Sequence, residues 1–458
     1  MPSDEQLPHI LLGINAGSSS VKFALFTVPR EAAPESRNAT QILTAEVAGL
    51  TSPPAKFTFQ SHLTSDSSIN FKKKELDEGK INSHEDAFDH FISHLSSTEI
   101  PISDSLTKSV STSDISHIFH RIVHGGPFQS GTHLSKKHID TLTQLSDLAP
   151  LHNAVSLPLV QKTNDFPNPE TSNIAFFDTS FHTTLPASSS TYLLSKEHTK
   201  NNSIRKYGFH GLSYAYTLHL VSQYLDKPED KCNIIALHLG SGCSACAIKD
   251  GKSIDTSMGL TPLQGLPGAT RSGDLDPSAV FHMVSKASNV SYKVAGAEGI
   301  TVSVAEKVLN KESGWKGVTG ESNFAVIVER ALKYEKEGKE EDETFKLVLD
   351  VVVERIVGYV ARYYVRLGGK VDALVFAGGI GEKADVLRKR VVEGVECLGF
   401  QIDGEKNEEA DVDGDDKVVE IGGGNKDEKR VLVVKTDETY QMARELCSHE
   451  KFWNPQDE

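Results

Sequence analysis

Two apolar runs with a polar turn between them open the chain. Residues 10–14 and 23–28 are mostly apolar, and residues 15–20 read Asn-Ala-Gly-Ser-Ser-Ser. Short apolar runs separated by turn-forming residues predict a strand, a turn and a second strand over 10–28. Lys22 directly follows this turn, which makes the turn a candidate for chemistry as well as for chain reversal.

The remaining pattern predicts strands alternating with helices. Helical spacing predicts a helix over 83–95, a helix–loop–helix over 134–160 and a long amphipathic helix over 341–368. Short buried strands are predicted within the following ranges: 115–126, 173–182 and 371–377, the last continuing into a glycine-rich turn and a helix. The acidic, glycine-rich segment 403–430 predicts an exposed loop.

Residues 233–252 repeat the opening pattern. A buried strand leads to His238, where the first copy has Asn15, then to Gly240-Ser241-Gly242 and a second strand. The repeat predicts a duplicated α/β domain. We expect one domain over 1–180, with a C-terminal segment about 440–458 packing back on it, and a second over 181–439. A cleft between the two halves is the expected ligand site.

Composition narrows the class of protein. The chain has 48 basic and 63 acidic residues, a net charge of −15, which argues against nucleic acid as a partner. No run reaches the roughly 18 apolar residues of a membrane span, and the N-terminus has no basic region followed by an apolar run. Five cysteines, an odd number, favour a reducing, cytoplasmic compartment. Cys243 and Cys246 form a single C-x-x-C, too few ligands for a zinc site.

Three glycine turns, each following a predicted buried strand, are candidate anion sites. They are Gly17-Ser18, Gly240-Ser241-Gly242 and Gly378-Gly379-Ile380-Gly381. Such turns can present several backbone N–H groups to a phosphate. Charged residues follow other strands or lie in polar loops: Arg121, Asp178, His210, Arg271 and the pair Asp437-Glu438. Phosphoryl transfer uses these kinds of group together: arginines, carboxylates, a histidine and glycine turns.

Nine motifs in order identify a family resemblance. They are NAGSSSVKF, HRIVHGG, PLHN, FDTSFHTTLP, YGFHGLS, HLGSGCS, GLTPLQGLPGATRSGDLDP, FAGGIGE and KTDE. Over residues 10 to about 447 the chain resembles the acetate kinases, within the acetate and sugar kinase, chaperone and actin superfamily. The resemblance implies an α/β fold of two duplicated ribonuclease-H-like, actin-type domains with a cleft between them, closing over the substrates. A Ser-rich segment near 50–80 and the acidic segment near 403–430 suggest a eukaryotic, fungal-like member.

The resemblance also implies roles for individual residues. Those implied in catalysis are Arg121, Asp178, His210 and Arg271. Those implied at the substrate are Arg121, Val123, Leu151, His152, Phe209 and Pro262, of which Val123, Leu151, Phe209 and Pro262 would surround its methyl group. Those implied at the nucleotide and its phosphates are Lys22, Ser18, Ser20, His238, Gly240, Ser241, Gly242, Gly379 and Gly381. Asn15 and Glu438 are implied at the metal.

The implied reaction is reversible transfer of the γ-phosphoryl group of ATP to acetate, giving acetyl phosphate and ADP. Mg²⁺, or Mn²⁺ in its place, is the implied metal, and a cytoplasmic homodimer the implied assembly. Phe324 and Val326 stand where members of the family carry an Asp and an Arg at the adenosine, so pyrophosphate is a second possible donor. Thr439 stands where many members have a second Glu. The sequence is also compatible with a propionate or butyrate kinase, and with a non-catalytic, actin-like ATP-binding regulator.

Overall fold

The computed structural model describes residues 7–453, apart from 34–35, 78, 146–152, 167–170, 200–203, 284–293, 296–300, 415 and 424–428. The chain divides into two compact units. Unit 1 comprises Met1–Ser180 and Asp437–Glu458, and unit 2 comprises Phe181–Thr436.

The strands belong to one large sheet in each unit and to two small two-stranded pairs. In chain order they are β1 (His9–Ala16), β2 (Ser20–Val28), β3 (Thr40–Ala48), β4 (Lys56–Ser61), β5 (Phe71–Glu75), β6 (Ile100–Ser103), β7 (Leu106–Lys108), β8 (Ile115–Ile122), β9 (Thr132–His133), β10 (Ser172–Phe177), β11 (Ile234–Leu239), β12 (Cys243–Lys249), β13 (Lys252–Thr256), β14 (Val294–Ala295), β15 (Thr301–Val302), β16 (Ala373–Ala377), β17 (Val418–Glu420) and β18 (Arg430–Val434).

The helices lie between these strands and at the chain's C-terminal end. They are α1 (His84–Ser97), α2 (Lys136–Leu145), α3 (Leu157–Asn164), α4 (Ala187–Ser190), α5 (Lys196–Thr199), α6 (Gly211–Tyr224), α7 (Ala279–Met283), α8 (Val304–Lys311), α9 (Gly314–Thr319), α10 (Phe324–Glu337), α11 (Glu340–Arg366), α12 (Gly378–Lys383), α13 (Asp385–Gly394), α14 (Gly404–Glu408) and α15 (Glu438–Ser448).

The two large sheets repeat one topology. The order β3-β2-β1-β8-β10 lies within the eight-stranded sheet of unit 1, and the order β13-β12-β11-β16-β18 lies within the six-stranded sheet of unit 2, where β17 follows β18. In both, the first three strands pair antiparallel, and the fourth and fifth add in parallel. The duplication and the α/β class expected from the sequence are confirmed, together with the strand–turn–strand at the start of each half.

Both faces of each sheet are covered. In unit 1, Phe23 of β2 stacks on Phe91 of α1 at 4.3 Å between ring centroids, while Tyr440 of α15 approaches Phe26 from the other side. In unit 2, Leu237 of β11 belongs to the apolar cluster with α11, and Ala236 to the cluster with α6. Strands buried on both faces read as continuous apolar runs, which is why the sequence pattern located them.

Two local expectations are wrong. The glycines 378–381 do not form a turn: they begin the short helix α12 directly after β16. The acidic segment 403–430 is not an exposed loop throughout, because it contains α14 and β17, and Asn407 and Val412 are buried. A highly charged segment can therefore be held against its domain by a few buried side chains.

Candidate active site

Arg121 and Asp178 form a bidentate ion pair in unit 1. Phe176 of β10 lies opposite Arg121 of β8, so the carboxyl ends of these parallel strands meet at one edge of the sheet. Arg121 Nε donates to Asp178 Oδ1 at 2.9 Å and Nη2 donates to Oδ2 at 2.8 Å. The Asp178 side chain is 1% exposed and that of Arg121 is 17% exposed. The fork-to-fork geometry fixes the guanidinium plane.

The remaining side of the guanidinium meets two further oxygens. Arg121 Nη1 donates to Asn15 Oδ1 at 3.4 Å and lies 3.9 Å from Glu438 Oε1. Burial disfavours the guanidinium charge, but Asp178 and Glu438 outweigh burial and raise the pKa of Arg121 above its ordinary value. The structure therefore brings together Asn15, Arg121, Asp178 and Glu438, which lie far apart in the sequence.

Glu438 reaches this cluster because α15 approaches β1 closely. A Cβ at Gly13 would stand 2.4 Å from Thr439 Cγ2 and 2.6 Å from the Phe119 ring. The Asp437 side chain caps the helix by accepting from the Tyr440 amide at 2.8 Å. Gly13 thus permits the first turn of α15, which carries Glu438, to lie on the strand that carries Asn15.

The turn between β1 and β2 carries Ser18 at an exposed position and uses the amide of Gly17 internally. Lys22 pairs across the strands with Asn15, so the two side chains share a face, and Lys22 and Ser18 are exposed. Ser20 is the first residue of β2. The Gly17 amide donates to the Ser20 carbonyl at 2.8 Å and is used within the turn. The expectation that the turn amides face a phosphate is wrong for Gly17.

His210 and His238 lie together in unit 2. His210 precedes α6 with φ of +58°, its Nδ1 is 2.8 Å from Ser244 Oγ, and that oxygen is 2.5 Å from the Tyr214 hydroxyl. His238 Nδ1 is 2.7 Å from Ser213 Oγ. The two imidazole centroids are 4.1 Å apart. Each ring is thereby oriented through its Nδ1.

Arg271 lies against the glycine turn beside these histidines. A Cβ at Gly242 would stand 2.8 Å from Arg271 Nη1 and 3.8 Å from His210 Cε1. The Arg271 loop is tied to the same turn, because the Ala269 amide donates to the Ser241 carbonyl at 2.8 Å. Burial lowers the pKa of Arg271, so an anion arriving at this guanidinium would be favoured.

The same turn uses one amide internally. The Gly240 amide donates to the Gly242 carbonyl at 3.1 Å, as the Gly17 amide does to the Ser20 carbonyl in the first turn. Ser241 is exposed at the tip. The amide of Gly240 is therefore not a donor to a phosphate in this conformation.

Helix α12 packs closely on the strand that leads into this turn. A Cβ at Gly378 would stand 2.7 Å from the Leu239 carbonyl, and one at Gly381 would stand 3.7 Å from Leu239 Cβ. A Cβ at Gly379 would meet no heavy atom of the described residues within 4 Å. Gly378 therefore lets the helix lie against the sheet, whereas Gly379 leaves open space on its outer side.

The residues implied around the substrate methyl are divided between the units. Val123 follows β8 in unit 1 and is half-buried. Phe209 and Pro262 lie in unit 2 and are buried. Leu151 and His152 lie outside the described residues. The pocket therefore stays a prediction.

Phe324 is a core residue. It is 4% exposed, and its ring meets Trp315 at 5.1 Å between centroids. Val326, two residues on in α10, is half-buried. The departure at Phe324 thus serves packing of α9 against α10.

Three supporting residues do not stand out in the sequence pattern. Ser213 and Ser244 orient His238 and His210, and Gly13 admits α15. Both serines lie inside motifs of the family resemblance, YGFHGLS and HLGSGCS. The motifs therefore point to both serines. Which histidine each serine contacts depends on the tertiary fold, and the motifs do not show it.

Two kinds of feature are absent from the described residues. They hold no group of three or more His, Cys, Asp or Glu side chains placed to bind a metal ion. Among them there is also no helix long and apolar enough to span a membrane.

Comparison with known proteins gives consistent matches. Residues 10–444 match the model of the acetokinase family. A fungal protein of Emericella nidulans named probable acetate kinase is 46% identical over 435 residues, covering 94% of this chain and 96% of its own.

Comparison with solved structures finds similar proteins, which are also kinases of short carboxylic acids by name. A propionate kinase from Francisella tularensis matches with a TM-score of 0.75 and 32% identity, and Porphyromonas gingivalis acetate kinase with a TM-score of 0.73 and 30% identity. Each comparison covers 95% of this chain and 98% of the other.

Proposed function

The chain belongs to the acetokinase family and, as a member, uses ATP and acetate as substrates; we propose that it transfers the γ-phosphoryl group directly and in line, giving acetyl phosphate and ADP reversibly. The observation that carries the proposal is the guanidinium of Arg121, held rigid by Asp178 while Asn15 and Glu438 face its Nη1. This membership also decides against the non-catalytic regulator.

The chemistry needs charge neutralisation more than proton transfer. Acetate is ionised at pH 7, so its oxygen attacks without a general base. The main barrier is the approach of one anion to another, which fixed cations lower because they need no reorganisation during the reaction. Both carboxylate oxygens of Asp178 accept from Arg121. We therefore assign Asp178 to holding Arg121 and not to abstracting a proton.

The proposed roles follow from position. Arg121 binds the acetate carboxylate, and Arg271 with His210 faces the transferring phosphoryl group. His238, the Gly240–Gly242 turn and the hydroxyls of Ser18 and Ser20 with Lys22 serve the phosphates. Gly379 and Gly381 serve the nucleotide base.

A divalent metal belongs to this activity, and we propose Mg²⁺. Mg²⁺ binds through one or two protein oxygens together with substrate phosphates and water. Glu438 and Asn15, whose side-chain oxygens both face Arg121, fit such a partial donor set. When bound, Mg²⁺ would supply charge neutralisation at the phosphate oxygens. Mn²⁺ has the same ligand preference.

Hydroxamate formation tests the reaction. The purified protein is given acetate, Mg²⁺, hydroxylamine and either ATP or pyrophosphate, and host cells that lack the gene for this chain, taken through the same purification, measure contaminating host enzyme. We expect acetyl hydroxamate with ATP, loss of the signal with EDTA and its return with Mg²⁺. A signal with pyrophosphate alone would overturn ATP as the donor, and no signal above the host background would overturn the kinase.

Propionate is the second candidate acceptor, because one structural relative is a propionate kinase. Val123→Ala is expected to raise kcat/KM for propionate relative to acetate about tenfold, since one methylene in an apolar pocket is worth about 1–3 kcal/mol. Ile122→Val, which removes a methylene from the core beside it, should leave the ratio unchanged. If this ratio is unaltered in Val123→Ala, Val123 does not line the pocket for the methyl group.

We also propose a cytoplasmic homodimer. The family resemblance supports this assembly. The five cysteines, all among the described residues, are free thiols, and free thiols suit a reducing compartment such as the cytoplasm. Light scattering of the purified protein measures the assembly.

A further inference from the structure

Arg388 is a fully buried cation at the carboxyl end of α12. Its side chain is 1% exposed. Nη1 donates to the carbonyls of Gly381 and Glu382 at 3.0 and 2.8 Å. Those carbonyls belong to the last turn of a six-residue helix, where the helix itself offers few donors. A cation there also complements the helix dipole.

The other half of the guanidinium is held by Asn407. Arg388 Nε donates to Asn407 Oδ1 at 2.7 Å and Nη2 donates to the Asn407 carbonyl at 2.6 Å. The Asn407 amide nitrogen donates in turn to the Asp385 carbonyl at 3.0 Å. One side chain from the acidic segment thus links Arg388 to the start of α13.

These partners of Arg388 are neutral oxygens. Burial lowers the pKa of Arg388 to about 10, with Asp385 only partly offsetting it. A buried charge held by neutral groups is costly, and apolar replacement is often no less stable. The arrangement therefore contributes orientation more than stability: four hydrogen bonds from one side chain set where α12 ends.

A second set of contacts holds the same helix end. Glu382 accepts from the Thr436 amide at 3.2 Å and the Thr436 hydroxyl at 3.0 Å, and lies 3.3 Å from Lys435 Nζ. Asp413, from the acidic segment, pairs with both Lys435 and Lys383. The segment 403–413 is thereby fastened to α12 at two places.

We propose that Arg388 and Asn407 are positioning residues for the nucleotide: they hold α12 so that Gly379 faces the base. The proposal rests on the proposed function, because it takes the open space at Gly379 to be the base site. Gly378 packs on Leu239, one residue before the Gly240–Gly242 turn, so a displaced α12 would misplace the base relative to the phosphates.

Steady-state kinetics of Asn407→Ala test this. KM for ATP is expected to rise about tenfold, with KM for acetate and kcat changed less than about threefold, the signature of lost nucleotide binding. Asn407→Asp keeps an acceptor for Arg388 but loses the hydrogen bond to the Asp385 carbonyl, so it should restore part of the affinity. Glu408→Ala, at the exposed neighbouring position, should match wild type.

Stability is controlled separately. Val221→Ala removes buried volume from α6, and its ATP KM should stay at the wild-type value even where its unfolding midpoint falls as far as that of Asn407→Ala. An unchanged ATP KM in Asn407→Ala, or an equal rise in Val221→Ala, would overturn the positioning role while the wild-type enzyme still phosphorylates acetate. An inactive wild type would instead overturn the proposed function.

Hydrogen exchange on the wild-type protein provides a test that needs no variant. Saturating ADP should slow amide exchange in both 378–394 and 403–413, because the network joins them. Protection limited to the Gly240–Gly242 turn would overturn the proposal. Because no variant is needed, this test also applies if Asn407→Ala does not fold.

Discussion

Asparagine in place of Asp178 is expected to lower kcat/KM for acetate by about 10²–10³-fold, the range for loss of one preorganised electrostatic contact. The substitution is nearly isosteric, but the new amide group would direct N–H bonds toward the N–H bonds of Arg121. At least one of the two hydrogen bonds at 2.9 and 2.8 Å is then lost. The guanidinium turns toward Asn15 and Glu438, away from the plane that the acetate carboxylate needs.

A double-mutant cycle separates positioning from direct action. If Asp178 acts through Arg121, then Asp178→Asn combined with Arg121→Ala should be no slower than Arg121→Ala alone. Losses that multiply would show that Asp178 has an independent role. Asp89→Asn serves as the matched control, because Asp89 pairs with Lys162 at the surface of the same unit, and an exposed pair is worth about 0–1 kcal/mol.

The sequence pattern identifies the charged residues of this site but not the residues with which they pair. Buried strands are recognisable because both faces of each sheet are covered, and residues such as Arg121 and Asp178 stand out as charges at strand ends. Their pairing follows only from the fold, in which β8 and β10 are parallel neighbours in register. Pairing depends on which strands lie side by side, and the local pattern does not encode that.

The side chains of Asn407 and Phe324 are buried for a reason that the local sequence does not show. The charge of residues 403–430 predicts an exposed loop, yet Asn407 is buried and its oxygens accept from Arg388, which lies on another helix. Phe324 stands where members of the family carry a residue at the nucleotide, and its ring is buried against Trp315. In each case a partner on another helix decides whether a side chain faces inward.

Loss of Arg271 is expected to have the other large effect. Arg271→Ala should reduce kcat by about 10³-fold or more while leaving the fold intact, by analogy with other groups that stabilise charge in a transition state. The fold should survive because the backbone of this loop is anchored independently, by the Ala269 amide on the Ser241 carbonyl. Circular dichroism and the unfolding midpoint check the fold, and near-normal turnover would remove Arg271 from the reaction.

Gly242→Ala tests the same guanidinium without deleting it. The new methyl group would stand 2.8 Å from Arg271 Nη1, closer than carbon and nitrogen can pack, so the flexible end of the arginine must move. Turnover should fall about 10²-fold, with little loss of stability because only a side-chain end is displaced. Gly358→Ala is the control outside the proposed site: its methyl group, on α11, would meet no heavy atom of the described residues within 4 Å. Equal activity in the two variants would mean that the position of Arg271 does not limit the reaction. A loss in Gly242→Ala alone would show that turnover depends on where the Arg271 guanidinium lies.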